Sequence, residues 1–293
     1  MNNLDIGLLV TGFKRPILFE KAVKSLSNLG LPSETNRYAF IDGPRRNHGE
    51  EFEKNCLVRN LAKNLYQDGF LSHITLRQEN LGTMENIYQS VSEVLKKHEF
   101  VFVLEDDLEI LPLANGSLLK LIYLMDKKIN AFSLYCNKSY SNTVFCSNRY
   151  SSQGWGTRRI YWNKFNPKEI KKTNLSSLDI KKIKRKCGSD IYSEFINFKN
   201  GSIDSWAIPW NVHNFLNSNL MIYPPKSYIL NNSHLCGAER TAGVKFDYEI
   251  AKEKLQKKHL KEIFINKKYI TNFSILNRLK RSLNAKLNKK FFQ

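Results

Sequence analysis

The sequence predicts an α/β protein with a mostly parallel central sheet and helices on both faces of that sheet. Short apolar runs alternate with amphipathic helical patterns through the first 108 residues. Most of the apolar runs are followed directly by turn-forming or polar residues, as in Thr11-Gly12 and Asp42-Gly43-Pro44. This order of strand and helix is typical of parallel sheets with crossover helices.

Length and composition suit one large unit of this kind. The chain has 293 residues, of which 42% are hydrophobic and 12% aromatic, so it can bury a core and is not a disordered protein. Lys and Arg number 46 against 27 Asp and Glu, a formal net charge of +19. No apolar run approaches the roughly 20 residues of a membrane-spanning helix. The first residues resemble a buried strand more than a signal peptide.

The elements follow in order along the chain. Strands are predicted at 6–10, 38–41, 72–76 and 100–104 from their apolar runs. Helices are predicted from Pro16 through Leu26, over 50–68 and over 84–97 from apolar residues at helical spacing. Beyond residue 108 the pattern loosens, and it predicts only a helix at 117–127 and strands at 131–135 and 220–223.

Polar residues follow the predicted strands where parallel sheets bind ligands. They are Arg15, Asp42, Asn80 and the acidic run Glu105-Asp106-Asp107. Because ligands bind at the carboxyl ends of parallel strands, we expect these residues along one crevice. Neither GxGxxG nor GxxxxGK[ST] follows the first strand, which disfavours a Rossmann dehydrogenase and a P-loop enzyme.

Three adjacent carboxylates repel one another, and a cation relieves that repulsion. Oxygen ligands of this kind suit Mg²⁺ or Mn²⁺ carrying a phosphate ligand. The alternative is an acidic loop at the start of the next helix, where negative charge is also favourable. The position of the run after a buried strand favours the metal site.

Seven blocks of the chain then resemble one family. VLEDDLEI resembles the acidic metal motif of GT-A glycosyltransferases, in the form found in the N-acetylglucosaminyltransferase I group. The blocks LLVTGFKRPILFEKAVKSL, FIDGPRR and RQENLG resemble the preceding parts of that fold. QGWGTRRIYW, SIDSWAIPW and YPPKSYILNNSHLCGAERTAG resemble later blocks of bacterial sugar transferases. The resemblance covers roughly residues 5 to 245. It implies an inverting sugar transfer from a nucleotide-sugar donor, and a UDP-sugar is the expected donor.

The resemblance also implies roles for the donor-side residues. Asp107 would ligate Mn²⁺ or Mg²⁺ that bridges the donor diphosphate. Asp106 would face the ribose or the transferred sugar, and Glu105 would contact the sugar or orient the other two acids. Asp42 would accept a hydrogen bond from uracil, and Arg15 would lie near the base or phosphates. The alternatives are a turn role for Asp42 and a helix-entry charge for Arg15. Further donor contacts are expected from Thr11, Asn80 and Gly82.

Roles on the acceptor side follow from the later blocks. Asp204 matches the block that holds the family's catalytic base, and its alternative is an N-cap for the helix that begins near Trp206. Trp155 and Trp206 are expected to stack on a sugar ring, the alternative being burial in the core. His234 lies where relatives have a loop over the donor phosphates and could bind phosphate or metal. The loop here differs from the commoner bacterial form, which has more glycine and acid.

Basic charge is concentrated in two segments. Residues 251–293 hold 13 Lys and Arg and 2 acids, and apolar residues lie at helical spacing within 273–292. This pattern favours peripheral contact with an anionic membrane, with a solvated helix packed on the body as the alternative. Residues 171–186 form a second basic stretch, without the aromatic residues that single-strand nucleic-acid binders use for stacking. Nucleic acid is therefore a disfavoured partner.

The charge distribution and the cysteines also suggest domain bounds and a location for the protein. We expect a catalytic domain over 1–245, with a nucleotide-binding half at 1–108 and an acceptor-binding half at 109–245, and a basic tail over 246–293. The five cysteines contain no CxxC pair, which disfavours disulfides and zinc and favours the cytoplasm, including the cytoplasmic face of the inner membrane. The acceptor would be a bacterial surface glycan such as lipopolysaccharide, O-antigen or capsule, or its lipid-linked precursor. The rival functions are a sugar nucleotidyltransferase and a non-catalytic glycan- or nucleic-acid-binding protein.

Overall fold

The computed structural model describes residues 4–45, 49–138, 141–233, 248–260, 263–266 and 269. Its strands are β1 (Ile6–Gly12), β2 (Arg37–Ile41), β3 (His73–Leu76), β4 (Phe100–Glu105), β5 (Leu108–Ile110), β6 (Ile129–Ser133), β7 (Phe145–Ser147), β8 (Trp155–Arg158), β9 (Leu220–Tyr223), β10 (Ile229–Asn231) and β11 (Phe264–Ile265). Its α-helices are α1 (Pro16–Ser25), α2 (Gly49–Gln67), α3 (Gly82–Lys97), α4 (Ser117–Tyr123), α5 (Arg159–Trp162), α6 (Pro167–Lys172), α7 (Ser177–Lys186), α8 (Ser189–Lys199) and α9 (Ala207–Leu216).

The central sheet is mostly parallel, as predicted. Its strand order is β11-β7-β9-β6-β8-β4-β1-β2-β3, and a separate two-stranded ribbon pairs β10 with β5. Pairing is parallel through β3-β2-β1-β4, between β6 and β9, and between β7 and β11, and antiparallel at the other three junctions. Helices α1, α2 and α3 connect the first four strands, so those strands can all point the same way.

Helices cover both faces of the sheet, because side chains alternate along each strand. On one face, β1 residues Leu8 and Val10 pack in a core with α1, α2 and α4. On the other face, Leu9 packs in a second core with α3 and α5 to α9. The fold class predicted from the alternating pattern is therefore confirmed.

The parallel strands end at one edge of the sheet. In the ladder Thr11 lies opposite Glu105, Gly12 lies opposite Ile41, and Ile41 lies opposite Leu76. The residues that follow β1, β2, β3 and β4 therefore leave the sheet side by side. The ribbon of β5 and β10 lies next to this edge, where Asn231 pairs with Leu108 directly after the acidic run.

The residues after 247 belong to the body as far as the structure describes them. Ala251 and Leu255 are buried in the first core, Tyr269 is buried in the second, and β11 pairs with β7. Described residues that follow the predicted boundary at 245 therefore still pack in the cores of the body. The apolar stripe predicted within 273–292 lies outside the described residues. None of the described helices combines the length and apolar character needed to cross a bilayer.

Candidate functional site

A cleft of about 580 Å³ opens at the carboxyl ends of the parallel strands. Every donor-side residue predicted from the sequence lines it, apart from His234, which lies outside the described residues. Asp204 and Trp206 line it as well, whereas Trp155 does not. The predicted residues on the cleft wall are Thr11, Arg15, Asp42, Asn80, Gly82, Glu105, Asp106, Asp107, Asp204 and Trp206. The expectation that residues after parallel strands gather along one crevice thus agrees with the lining of this cleft.

Arg15 is held by the acidic run. Its guanidinium donates to Asp107 Oδ2 at 3.2 Å and forms a close ion pair with Asp106 Oδ1. The turn between β1 and α1 carries Arg15, and the turn directly after β4 carries both acids, so neighbouring strands bring the three together. The sequence placed Arg15 near the base or phosphates and did not predict this direct pairing.

Crowding and burial alter the protonation of the acidic run. Burial, followed by the charge of Asp107, raises the pKa of Glu105 to about 8. Burial also raises the pKa of Asp106, and Arg15 opposes that shift. For Arg15, burial disfavours the charged form, but Asp106 and Asp107 outweigh it and raise the pKa. The cluster therefore sets three carboxyl groups against one guanidinium, and burial favours the neutral forms of Glu105 and Asp106.

The cluster fits a divalent cation only in part. Asp106 is 4% exposed, and its Oδ2 atom is buried without a hydrogen-bond partner. An unpartnered carboxylate oxygen is costly unless a cation or donor meets it. Yet among the described residues no group of three or more His, Cys, Asp or Glu side chains could hold a metal by itself. Asp106 and Asp107 can supply oxygens to Mn²⁺ or Mg²⁺, and a ligand such as a diphosphate must supply others.

Asp42 organises the turn at residues 80–82. Its Oδ1 accepts hydrogen bonds from the amides of Gly43 (2.9 Å) and Leu81 (2.8 Å). Its Oδ2 accepts from Asn80 Nδ2 and the Gly82 amide, both at 3.1 Å. A carboxylate has about four acceptor positions, and all are filled. This corrects the expected hydrogen bond to uracil, because Asp42 has no acceptor position left for a base.

Asp204 lies at the amino end of α3. Its Oδ1 accepts from the Met84 amide at 3.0 Å, and its Oδ2 accepts from the Thr83 amide. The carboxylate therefore caps a helix more than 100 residues earlier in the chain, not the helix α9 that follows it. The positive end of the helix dipole stabilises the anion there. Each oxygen keeps one acceptor position, so Asp204 can still accept a proton from a hydroxyl in the cleft.

Trp155 and Trp206 do not present ring faces to the cleft. Trp155 is fully buried, and Trp206 is 2% exposed. The two rings stack on each other with centroids 4.4 Å apart, within a cluster that includes Trp162 and Trp210. The Trp206 indole N–H lies near Glu105 at the cleft wall, where it lowers the pKa of that carboxyl against the larger effect of burial. The expected stacking of these two rings on a sugar is therefore wrong, because their faces are used in the core.

Several polar residues of the cleft were missed from the sequence. They come from the loop between β7 and β8, the loop between α8 and α9, the end of β10 with the residues after it, and the first two turns of α3. Of these, Ser233 is 1% exposed, and its hydroxyl is buried without a partner. Only the pairing of β10 with β5 places Ser233 beside the acids, and that pairing has no local sequence signal. The missed polar residues are Thr83, Asn86, Ser152, Gln153, Ser205, Asn231 and Ser233, together with the cations Lys14 and Arg45 of the first two strand-end loops.

Comparison with known proteins gives structural likenesses alone. No protein-family model matches the chain, and no curated protein matches it in sequence. It resembles S. aureus TarS 1–349 in complex with UDP, with 12% identity and a TM-score of 0.45, over 77% of this chain and 60% of that one. It also resembles GalNAc-T7 with UDP, GalNAc and Mn²⁺, with 9% identity and a TM-score of 0.48, over 77% and 43%.

A third likeness is the mannosyltransferase PcManGT from Pyrobaculum calidifontis in complex with GDP-Man and Mn²⁺. It has 13% identity and a TM-score of 0.39, over 55% of this chain and 46% of that one. This chain thus spans well under two thirds of the length of each of the three structures. Likenesses at these TM-scores identify neither a family nor a substrate for this chain.

Proposed function

We propose that this chain is a GT-A glycosyltransferase that moves a sugar from a nucleotide-sugar donor to a hydroxyl group. The observation that carries the proposal is the cleft at the carboxyl ends of β1, β2 and β4, where an acidic run, a bound arginine and a helix-capping carboxylate face the same space. An anion carrying a divalent cation complements such a wall, since the cation meets the acids and the arginine meets the phosphates.

On the donor side, Asp107 and Asp106 would hold Mn²⁺ or Mg²⁺ together with the donor diphosphate. The metal would act as a Lewis acid on the leaving group. Arg15 donates to the phosphates once it is released from the acids. Thr11, Asn80 and Gly82 line the wall next to the base and ribose. Asp42 fixes that wall by holding the turn at residues 80–82.

The acceptor side uses Asp204. The carboxylate accepts the proton of the attacking hydroxyl, and the transfer proceeds with inversion at the anomeric carbon. Its bonds to the Thr83 and Met84 amides hold it in one orientation. Glu105, next to Trp206, shapes the sugar pocket between the two sides. UDP as the nucleotide, and a bacterial surface glycan or its lipid-linked precursor as acceptor, follow from the sequence resemblance.

Nucleotide binding tests the proposal. UDP, GDP and CMP are titrated calorimetrically with and without Mn²⁺ on the wild type, on Asp107→Asn, and on Asp68→Asn, an exposed acid outside the cleft. We expect manganese-dependent UDP binding that Asp107→Asn weakens by at least about 100-fold and Asp68→Asn leaves unchanged.

Other outcomes separate the alternatives. A metal-dependent preference for GDP or CMP would keep the site and replace the donor. Absence of any nucleotide binding by the wild type would reject the transferase and return attention to a non-catalytic binding protein.

A further inference from the structure

Residues 164–186 form a strongly basic surface away from the cleft lining. They include nine Lys and Arg and only two acids, Glu169 and Asp179, for a net charge of +7. Both acids are engaged locally, because Glu169 pairs with Lys172 at 2.9 Å and Asp179 accepts from the Ser176 hydroxyl at 2.6 Å. In the described part of the chain, Lys172 is the only one of the nine cations in an ion pair. We call the exposed face of this segment the basic platform.

The fold holds these cations on the outside of a packed scaffold. Ile170 of α6 and Ile183 of α7 are buried in the second core. Helix α7 packs on α8, and both α6 and α8 pack on α9. The outward positions are then fixed by helical geometry, and they expose Lys164, Lys168, Lys171, Lys172, Lys181, Lys184, Arg185 and Lys186. The like charges repel one another unless an anionic surface lies against them.

An exposed aliphatic side chain lies among the cations. Leu178, in the first turn of α7, is 58% exposed. Lys181 and Arg185 follow it three and seven residues later, on the same side of the helix. An aliphatic residue flanked by cations is typical of helices that lie at the interface of an anionic bilayer.

A nucleic acid would require a different surface. Single-strand binders combine cations with exposed aromatic rings on which bases stack. The aromatic residue of the basic platform segment is Phe165, and it is 2% exposed in the second core. The platform therefore offers charge and an aliphatic side chain, which is the chemistry of a lipid surface.

The platform is connected through helix α9 to the side of the cleft that carries Asp204. Helix α9, on which α6 and α8 pack, begins at Ala207, directly after the cleft residues Asp204, Ser205 and Trp206. We propose that the basic platform binds the surface of an anionic phospholipid bilayer and so brings this side of the cleft close to the membrane. The docking does not depend on the proposed reaction, and its test requires no turnover.

Vesicle binding by the full chain tests this inference. Sedimentation with phosphatidylcholine vesicles, with and without phosphatidylglycerol, is measured at low and high salt. The platform variant carries Lys181→Gln, Lys184→Gln, Arg185→Gln and Lys186→Gln. We expect wild-type binding only to vesicles with phosphatidylglycerol, and a fall on the order of 100-fold in the platform variant.

The control removes four exposed cations from the opposite face of the sheet. It carries Lys21→Gln, Lys24→Gln, Lys54→Gln and Lys63→Gln, on helices α1 and α2. The two variants have the same net charge, so only a localised contact separates them. A loss that is equal in both variants would mean that net charge alone drives the binding and would overturn the proposal.

Leu178→Ser separates a lipid from other polyanions. We expect it to weaken vesicle binding severalfold, because its aliphatic group no longer enters the interface, while binding to heparin stays unchanged. A platform variant that binds vesicles like the wild type would place the contact elsewhere in the chain and reject the inference. Tighter binding to single-stranded RNA than to vesicles, insensitive to Leu178→Ser, would also reject it. Circular dichroism confirms that each variant is folded.

Discussion

Among single residues, Arg15 is expected to have two roles, one toward the acidic run and one toward a bound diphosphate. It balances the charge of Asp106 and Asp107, with which it forms two contacts. A divalent cation would meet the same carboxylates, so Arg15 and the metal compete for them. The diphosphate of a donor would favour the release of Arg15 from these acids, because guanidinium groups bind phosphate oxygens in a bidentate manner. Loss of Arg15 should therefore strengthen the binding of metal alone and weaken the binding of nucleotide.

Substitution of Arg15 by Gln tests this competition. We expect Mn²⁺ alone to bind on the order of tenfold more tightly, because a competing positive charge is gone. UDP in the presence of Mn²⁺ should bind on the order of tenfold more weakly, because a phosphate donor is gone. Electron paramagnetic resonance of free Mn²⁺ gives the first quantity, and calorimetry gives the second.

Lys14→Gln is the matched control for that experiment. Lys14 lies in the same turn and pairs with Glu51 at 2.8 Å, so its loss removes the same charge without freeing the acidic run. If Arg15→Gln weakens both Mn²⁺ and UDP binding, or if Lys14→Gln reproduces its effects, the competition is refuted.

Gly82 is a second residue with a specific requirement. Its φ of +78° lies in the left-handed region, and an added Cβ would lie 2.6 Å from Asp204 Oδ2. Gly82→Ala should therefore cost about 1–2 kcal/mol for the backbone and about 1 kcal/mol more for displacing Asp204. In an Asp204→Ala background, only the backbone cost should remain. Urea unfolding of the four chains measures this coupling.

Gly69 supplies the comparison for Gly82. Its φ is +76°, and an added Cβ would meet nothing within 4 Å. Gly69→Ala should thus cost the same in both backgrounds. A coupling of zero between Gly82→Ala and Asp204→Ala would show that the carboxylate does not occupy this position in solution.

At the scale of elements, the first half of the fold was predictable from the sequence. Each of the first four strands begins within one residue of its predicted start, because each coincides with a short run rich in apolar residues and bounded by polar or turn residues. The second half was not predictable in the same way. β8 has the sequence Trp-Gly-Thr-Arg, which lacks an alternating pattern, and α5 and α6 have four and six residues. Elements this short form because they are packed by the rest of the molecule.

The site could be predicted in position but not in detail. Strand ends identified the residues that gather in the cleft, because parallel strands share one edge. The bonds of Asp204 to the amides of α3 and of Asp42 to the turn at residues 80–82 join segments far apart in sequence. Burial of both Trp155 and Trp206 depends on four tryptophans meeting in one core. No local pattern specifies such contacts.

Helix α9 carries a histidine whose protonation is tied to folding. His213 is 8% exposed, and its ring stacks on Trp210 with centroids 5.6 Å apart. Burial, with a smaller effect of the Lys164 charge, lowers the pKa of His213 to about 4 from 6.5. The unfolded chain takes up the proton first, so the stability that neutral His213 confers above about pH 6.5 is lost as the pH falls towards 4.

Substitution of His213 by Gln should therefore flatten the acid side of the stability profile. Between about pH 7 and about pH 4 the wild type should lose about 3 kcal/mol more than the variant. Urea unfolding at a series of pH values measures the difference between the two profiles. Parallel profiles would mean that His213 is protonated in the native state, and they would contradict the buried, neutral assignment.

At the scale of the whole molecule, the segment after residue 247 closes the fold. Ala251 and Leu255 complete the first core, and Tyr269 completes the second. Backbone and side-chain bonds tie the same segment to the body, among them Val144 N to His259 O at 2.7 Å and Tyr228 Oη to Glu253 O at 3.0 Å. A domain boundary at 245, as the charge distribution suggests, would cut through these contacts.

Two truncations test this view of the molecule. A chain ending at residue 245 exposes apolar surface in both cores and should lose about 5 kcal/mol of unfolding free energy, a large part of a typical domain's stability. A chain ending at residue 272 keeps Ala251, Leu255 and Tyr269 and should match the full chain within about 1 kcal/mol. Urea unfolding followed by tryptophan fluorescence measures both. Equal stability of the two truncations would mean that the folded body is complete at residue 245 and that the later contacts add nothing to it.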